Sequence, residues 1–298
     1  MVINMELTRK ELELVDRGYS KEELEELVSY TDEYVDKISD NIVENISVGC
    51  TKSDKPTAIF IGGQPGCGKS TSLRTIKTNW IDNNVICIIG LDNYRTYHPN
   101  YKKMEQVIND TWKDKEDDDN KSRGNDIAIL TGEFAGEVTD TVIRKLSDDN
   151  YNIAIEWGMR SPLVPLEMME MLHDKGYKVI VKFIIVDKET SREACKLRDD
   201  VMNNHNIILR RIPTSFHENA VNTLPASAEQ IYIEGYLNKK IIDEFYLVDR
   251  NSNILWDSSS DKKLIDTYNY YLNNKTEPYV NNPKYSELSY IEETKYYQ

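Results

Sequence analysis

An α/β fold, a mostly parallel sheet with helices on both faces, is predicted by two observations. From Pro56 to about Asp257 short apolar runs alternate with stretches of helical character. The first of those runs, Thr57 to Gly62, leads directly into a glycine-rich loop with a helix-forming stretch behind it. A chain of 298 residues can bury a core of that size as one large domain with decorated ends.

The elements follow in order. Leu7 to Ile46 is charge-rich, and Leu24, Leu27, Tyr34, Ile38 and Ile42 recur at helical spacing, which predicts one or two amphipathic helices. Ser20 followed by Glu23 fits a capping box and predicts a helix start near Lys21. Packing of the Leu24 face onto the protein's own core is favoured over its use as an interface. Strands are predicted at Thr57 to Ile61, Val85 to Ile89, Ile153 to Glu156, Lys178 to Val186 and Tyr246 to Asp249. Between Asn109 and Asn125 the charged run has little to bury and predicts a solvated loop or insertion. After Asp257 the chain turns rich in Tyr and Asn, including Tyr268, Tyr270, Tyr279 and Tyr297, a segment suited to packing on the domain or to meeting a partner. The division expected is an N-terminal helical segment over 1–55, the α/β domain over 56–258, and a Tyr/Asn-rich C-terminal extension over 259–298.

Charge and composition exclude several functions. Lys and Arg number 37 against 51 Asp and Glu, a formal net charge of -14, which argues against a general grip on nucleic acid. No apolar run approaches the roughly 20 residues that cross a bilayer, and Met1 to Lys10 lacks a signal-peptide apolar region, so no membrane association and a cytoplasmic location are expected. The four cysteines, Cys50, Cys67, Cys87 and Cys195, show no CxxC spacing and read as reduced thiols. His98, His173, His205 and His217 show no metal-ligand spacing either.

The strongest signal is Gly63-Gln64-Pro65-Gly66-Cys67-Gly68-Lys69-Ser70, followed by Thr71: a GxxxxGK[ST] P-loop placed between a strand and a helix. Its glycines let backbone N–H groups and the helix N-terminus face phosphates, Lys69 adds a point charge, and Ser70 is the Mg²⁺ ligand. The expected fold is thereby P-loop kinase-like. A guanine-reading NKxD element is absent from the sequence and a motor would be larger, which favours a small-molecule kinase. Such an enzyme needs a base and phosphate-neutralising cations. Asp92 and Glu156 both end apolar runs, at the edge where open α/β sheets gather ligands, and each reads equally as a site acid or as a turn or strand-end acid. Arg198, Arg210 and Arg211 have the planar fork that binds phosphate oxygens in pairs, with solvated surface arginines as the alternative.

Taken together, GGQPGCGKS, LDNYRTYHPNY, LSDDNYNIAIEWGMR, KGYKVIVKFIIV and RRIPTSFHENAVNTLP resemble the zeta toxin family, the toxin half of bacterial toxin–antitoxin pairs, over roughly Pro56 to Asp257. The resemblance implies ATP- and Mg²⁺-dependent phosphorylation of a UDP-activated amino sugar, typically UDP-N-acetylglucosamine at its 3′-hydroxyl, and an antitoxin protein as partner. It implies Lys69 as the phosphate lysine, Asp92 as the catalytic base, Asp140, Glu156 and Arg160 on the substrate side, and Arg198 as the first of two clamping arginines. For the second, counting forward from Arg198 gives Arg211 and counting back from Pro213 gives Arg210. Where the family's motif has Gly-Thr after the Glu, this chain has Trp157-Gly158, a lost hydroxyl and added bulk on the sugar side. Two alternatives stand beside this reading: a P-loop kinase of another nucleotide or small hydroxyl compound, and a nucleotide-dependent binding module.

Overall fold

The computed structural model describes residues 6–73, 86–116, 121–204 and 211–275. These residues form a six-stranded sheet in the order β2-β3-β1-β4-β5-β6: β1 Thr57–Gly62, β2 Cys87–Gly90, β3 Ile153–Glu156, β4 Lys178–Ile184, β5 Glu244–Val248 and β6 Ile254–Asp257. Strands β1 to β5 run parallel and β6 is antiparallel to β5. Burial on both faces explains why these strands read as continuous apolar runs rather than alternating ones. All five predicted strands are present with slightly shifted ends, Val85 falling outside the described residues. Strand β6 is unpredicted: it is four residues long, and Trp256 is its one buried side chain.

Helices cover both faces, as predicted. On one, Phe60, Ile155 and Phe183 pack with helices Gly132–Asp148, Leu163–Asp174 and Thr214–Ile231. On the other, Ile59, Ile61, Ile180 and Ile184 pack with Leu73 from the helix that follows the phosphate loop. Beyond β6, helix Leu264–Asn273 buries Tyr268 edge-on to Phe183 while Tyr270 stays exposed, so the described part of the Tyr-rich extension packs on the domain through one face. Tyr279 and Tyr297 lie outside the described residues.

The N-terminal helices also join the core. Helix Lys21–Val28 buries Leu24, Leu27 and Val28 against Met104, Ile108, Trp112 and Leu130, so its apolar stripe faces inward as predicted. Ser20 accepts the Glu23 N–H at 3.1 Å, and the reciprocal capping box forms upstream, between Thr8 and Glu11. Helix Asp32–Ile46 packs Val35 and Ile42 into the main cluster.

The loop predicted over 109–125 is corrected by the structure. Helix Tyr101–Thr111 runs into that range and helix Arg123–Leu130 begins within it, while residues 117–120 fall outside the described residues. The reason is one buried carboxylate next to the charged run. Asp126 has no exposed surface, and it accepts from Trp112 Nε1 and from the Tyr19 hydroxyl, each at 2.7 Å, and pairs with Arg17. Charge density alone hid the apolar anchor Trp112.

Two buried imidazoles make this core sensitive to acid. Burial lowers His98 and His217 from 6.5 to about 4. With the folded-state values depressed, the unfolded chain takes up protons first, so stability is complete above about pH 6.5 and is lost as pH falls toward 4. His98 alone accounts for about 3 kcal/mol at the lower end. Denaturant unfolding at pH 7 and pH 4.5 should show the drop, and a His98→Gln variant should show a shallower one.

Candidate active site

Five parallel strands deliver their C-terminal ends to one edge, and the loops that leave that edge carry the residues of interest. The central strand β1 ends in the phosphate loop. Gly63, Gly66 and Gly68 take φ values of 141°, 77° and 99°, a region that residues with a Cβ avoid. Space excludes a side chain as firmly as torsion does: a Cβ on Gly66 would sit 2.1 Å from the Ser191 carbonyl oxygen, and one on Gly63 2.5 Å from that of Ile184. The loop is therefore bare backbone pressed against the segment that follows β4. Gln64 strengthens that seam by donating from Nε2 to the Val186 carbonyl at 2.6 Å. Lys69 folds back, its Nζ donating to the carbonyls of Gly63 and Gln64 at 3.0 and 3.2 Å. Burial of the Cys67 side chain raises its thiol, against the pull of Lys69 and Arg250.

Glu156 closes β3 between two neighbours, paired in register with Ile61 of β1 and Gly90 of β2. Its Oε2 accepts from the Ser70 hydroxyl at 2.9 Å. Strand β2 ends at Gly90, and Asp92 follows in the 3₁₀ turn Leu91–Tyr97. Arg95 Nε donates to Asp92 Oδ1 at 2.8 Å, and the same guanidinium is fixed to the Ala128 carbonyl at 2.8 Å and the Thr131 hydroxyl at 3.0 Å. Asp92 is thus half-exposed at the edge yet held in place by a largely buried arginine.

The following His-Pro-Asn fastens this turn to the N-terminal helices. The His98 ring packs edge-on to Tyr30 and Phe134, and its Nδ1 accepts from the Asn100 N–H. Asn100 Nδ2 donates to the carbonyls of Glu26, Leu27 and Ser29, closing the C-terminal end of helix Lys21–Val28. These contacts hold the Asp92 turn against the N-terminal helices.

The remaining sequence candidates divide. Helix Lys188–Asn204 lies against the loop: Cys195 Sγ would meet a Gly66 Cβ at 3.0 Å, and Arg198 and Lys69 both bear on its thiol, which burial raises. Ser191 of this helix meets His217 Nε2 at 2.9 Å, tying it to helix Thr214–Ile231. Arg211 approaches Asp199, next to Arg198, at 3.7 Å, and Arg210 lies outside the described residues. Arg160 follows Met159 on the loop after β3, stacked 4.0 Å over the Phe216 ring and 3.4 Å from Asn219 Oδ1. Trp157 packs beside Phe60 and is partly buried against the main cluster, while a Cβ on Gly158 would meet open space. Asp140 is placed on helix Gly132–Asp148, paired with Arg144 one turn later at 2.9 Å. The structure thus brings together the loop, Ser70, Glu156 and the Arg198 helix, sets Asp92 two residues beyond Glu156's neighbour Gly90, and puts Asp140 in a helical ion pair.

One residue escaped the sequence. Arg250, in the turn between β5 and β6, donates from Nε to the Cys67 carbonyl at 3.1 Å and from Nη2 to the Gly66 carbonyl. It belongs to no motif, and the strand whose turn carries it was itself unpredicted.

Comparison with known proteins decides the family. The zeta toxin family model matches residues 40–261, most of the chain. The chain belongs to the zeta toxin family. Toxin PezT of Streptococcus pneumoniae serotype 4 is 27% identical over 237 residues, covering 78% of this chain and 84% of PezT. Toxin zeta of Streptococcus pyogenes is 29% identical over 216 residues, covering 70% and 67% of the two chains. A solved structure from the PezAT chromosomal toxin–antitoxin system of S. pneumoniae superposes with a TM-score of 0.67 at 22% identity, over 91% of this chain and 97% of that one, and shares the fold. Zeta-family membership and a P-loop kinase-like fold carry nucleotide binding with them. Among the described residues no helix is long and apolar enough to cross a membrane.

Proposed function

We propose that this zeta toxin family member is a kinase that transfers the γ-phosphoryl group of ATP to a sugar hydroxyl of a UDP-activated amino sugar such as UDP-N-acetylglucosamine. The observation that carries the reading is the gathering at one sheet edge of a bare-backbone phosphate loop, a Ser70–Glu156 pair and an arginine-held Asp92. In this scheme the Asp92 carboxylate takes the proton of the acceptor hydroxyl. The hydroxyl oxygen bonds to the γ-phosphorus as the bond from that phosphorus to the β–γ bridging oxygen breaks, and ADP leaves with the electron pair. Lys69, Arg198 and one of Arg210 and Arg211 neutralise the charge that spreads over the transferring group. Arg160, Glu156 and Asp140 are assigned to the acceptor side.

The residues fit a hard cation as well. The Ser70 hydroxyl and the Glu156 carboxylate, 2.9 Å apart, are the oxygen donors that magnesium prefers, directly or through water. Bound there with the nucleotide, Mg²⁺ would supply electrostatic neutralisation of the β- and γ-phosphates. Support for an antitoxin partner comes from the relatives, which are named as toxins, and from the PezAT toxin–antitoxin system to which the similar structure belongs. A cytoplasmic site of action suits a consumer of ATP and UDP-sugars.

ADP release with UDP-N-acetylglucosamine, UDP-glucose, UDP and free N-acetylglucosamine as acceptors tests the substrate class. The UDP-amino sugar should be fastest, and the free sugar should be inactive. Equal rates with all four, or with none, would contradict the assignment. A preference for UDP-glucose would confine the error to the amino-sugar side, where Trp157 and Gly158 replace the family's Gly-Thr.

A further inference from the structure

We infer that Arg250 is a positioning residue of the nucleotide site, setting the peptide planes of the phosphate loop from outside. The inference rests on the loop being a nucleotide site and is independent of the acceptor. Arg250 lies more than 180 residues from the loop in sequence, yet its guanidinium donates to two consecutive loop carbonyls, those of Gly66 and Cys67. In a planar trans peptide the carbonyl and the next N–H point in opposite directions. A cation that draws the Cys67 carbonyl outward therefore turns the Gly68 N–H the other way, and an anion-binding loop works by such N–H groups. The Cys67 N–H is already used within the loop, donating to the Gln64 carbonyl at 3.1 Å, so Arg250's effect falls on the Gly68 peptide.

Two features make this a built arrangement. Asp249, the neighbouring acid, is satisfied by its own turn: Oδ1 accepts the Asn251 and Asn253 N–H groups at 2.8 and 2.9 Å, and Oδ2 accepts from Asn253 Nδ2 at 2.7 Å. The turn between β5 and β6 is thus stiff where it presents Arg250. Gly68 lies directly beside the arginine, since a Cβ there would fall at ordinary contact distance, 3.5 Å from Arg250 Cγ and 3.7 Å from Nε. Lys69 serves the start of the loop in the same way, through the carbonyls of Gly63 and Gln64. Arg250 and Lys69 between them engage four of the loop's carbonyl oxygens.

Calorimetric titration of ATP, ADP and AMP into the full chain with Mg²⁺, comparing Arg250→Met, Arg250→Lys and Lys69→Met with the parent, tests this. Loss of two charge-assisted hydrogen bonds should weaken ATP and ADP by about tenfold or more in Arg250→Met. AMP, which lacks the β-phosphate, should be unaffected, and Arg250→Lys, which can reach one carbonyl, should recover part of the loss. Equal weakening of AMP would mean that Arg250 contacts the base or sugar, and unchanged ADP binding would mean that it does not position the loop. Either result overturns the inference. If Arg250→Met loses its unfolding transition, the ADP affinity of Arg250→Lys decides alone, since a parental value there removes the need for the fork. If the parent itself fails to bind ATP, or Lys69→Met binds it equally well, the nucleotide-site reading has failed instead.

Discussion

Asp92→Asn is expected to bind ATP like the parent and to turn over roughly 10²- to 10⁴-fold more slowly. The substitution keeps an oxygen where Arg95 Nε donates at 2.8 Å, so the turn Leu91–Tyr97 retains its tie to Ala128 and Thr131. What it removes is the capacity to take a proton. An amide cannot accept the hydroxyl hydrogen as the oxygen attacks phosphorus, and no change at the phosphate loop compensates for that. Initial rates at saturating ATP, set beside calorimetric ATP affinity, separate the two effects. Parental turnover in a folded Asp92→Asn protein would remove Asp92 as the base and pass the role to Glu156, a second carboxylate at that edge.

Asp126→Ala is expected to cost about 3 kcal/mol of unfolding free energy, because it leaves a largely buried cation and two buried donors without their acceptor. Arg17 and Tyr19 converge on that carboxylate from one stretch of chain and Trp112 from another. It is the polar knot of the layer in which Leu24, Leu27, Met104 and Leu130 pack. The same layer holds Asn100, which anchors the turn bearing Asp92 to helix Lys21–Val28. Asp126→Ala should therefore also lower the temperature at which activity is lost. Urea unfolding of Asp126→Ala and Asp126→Asn measures the effect, with the amide less harmful since it still accepts. A cost below about 1 kcal/mol for the alanine would show that the knot is a surface-grade interaction.

Much of this was legible in the sequence, for identifiable reasons. The parallel strands are buried on both faces, so Thr57–Gly62 and Lys178–Ile184 stand out as apolar runs. The phosphate loop must be bare backbone at fixed positions, so Gly63, Gly66 and Gly68 are forced into a recognisable spacing. Asp92 and Glu156 stand where the sequence placed them, at or just beyond strand ends on the edge where open α/β sheets gather ligands. Trp112 and Asp126 were hidden because a local reading averages them with the charged residues around them, whereas their partners Arg17 and Tyr19 lie about a hundred positions away. Arg250 was hidden for the same reason, since its bonds to the loop are long-range and leave no local pattern. The His-Pro-Asn element was visible as a signature, and its physical work, the Asn100 closure of a helix end, appears only in three dimensions.

The function proposed for this protein is phosphoryl transfer to the sugar of a UDP-amino sugar. It is tested most directly by mass spectrometry of UDP-N-acetylglucosamine incubated with the protein, ATP and Mg²⁺, beside the Asp92→Asn variant. A product heavier by one phosphate, carried on the sugar fragment and made by the parent alone, is expected. An unchanged UDP-N-acetylglucosamine with ATP binding intact, or a phosphate found on the uridine fragment, would contradict it.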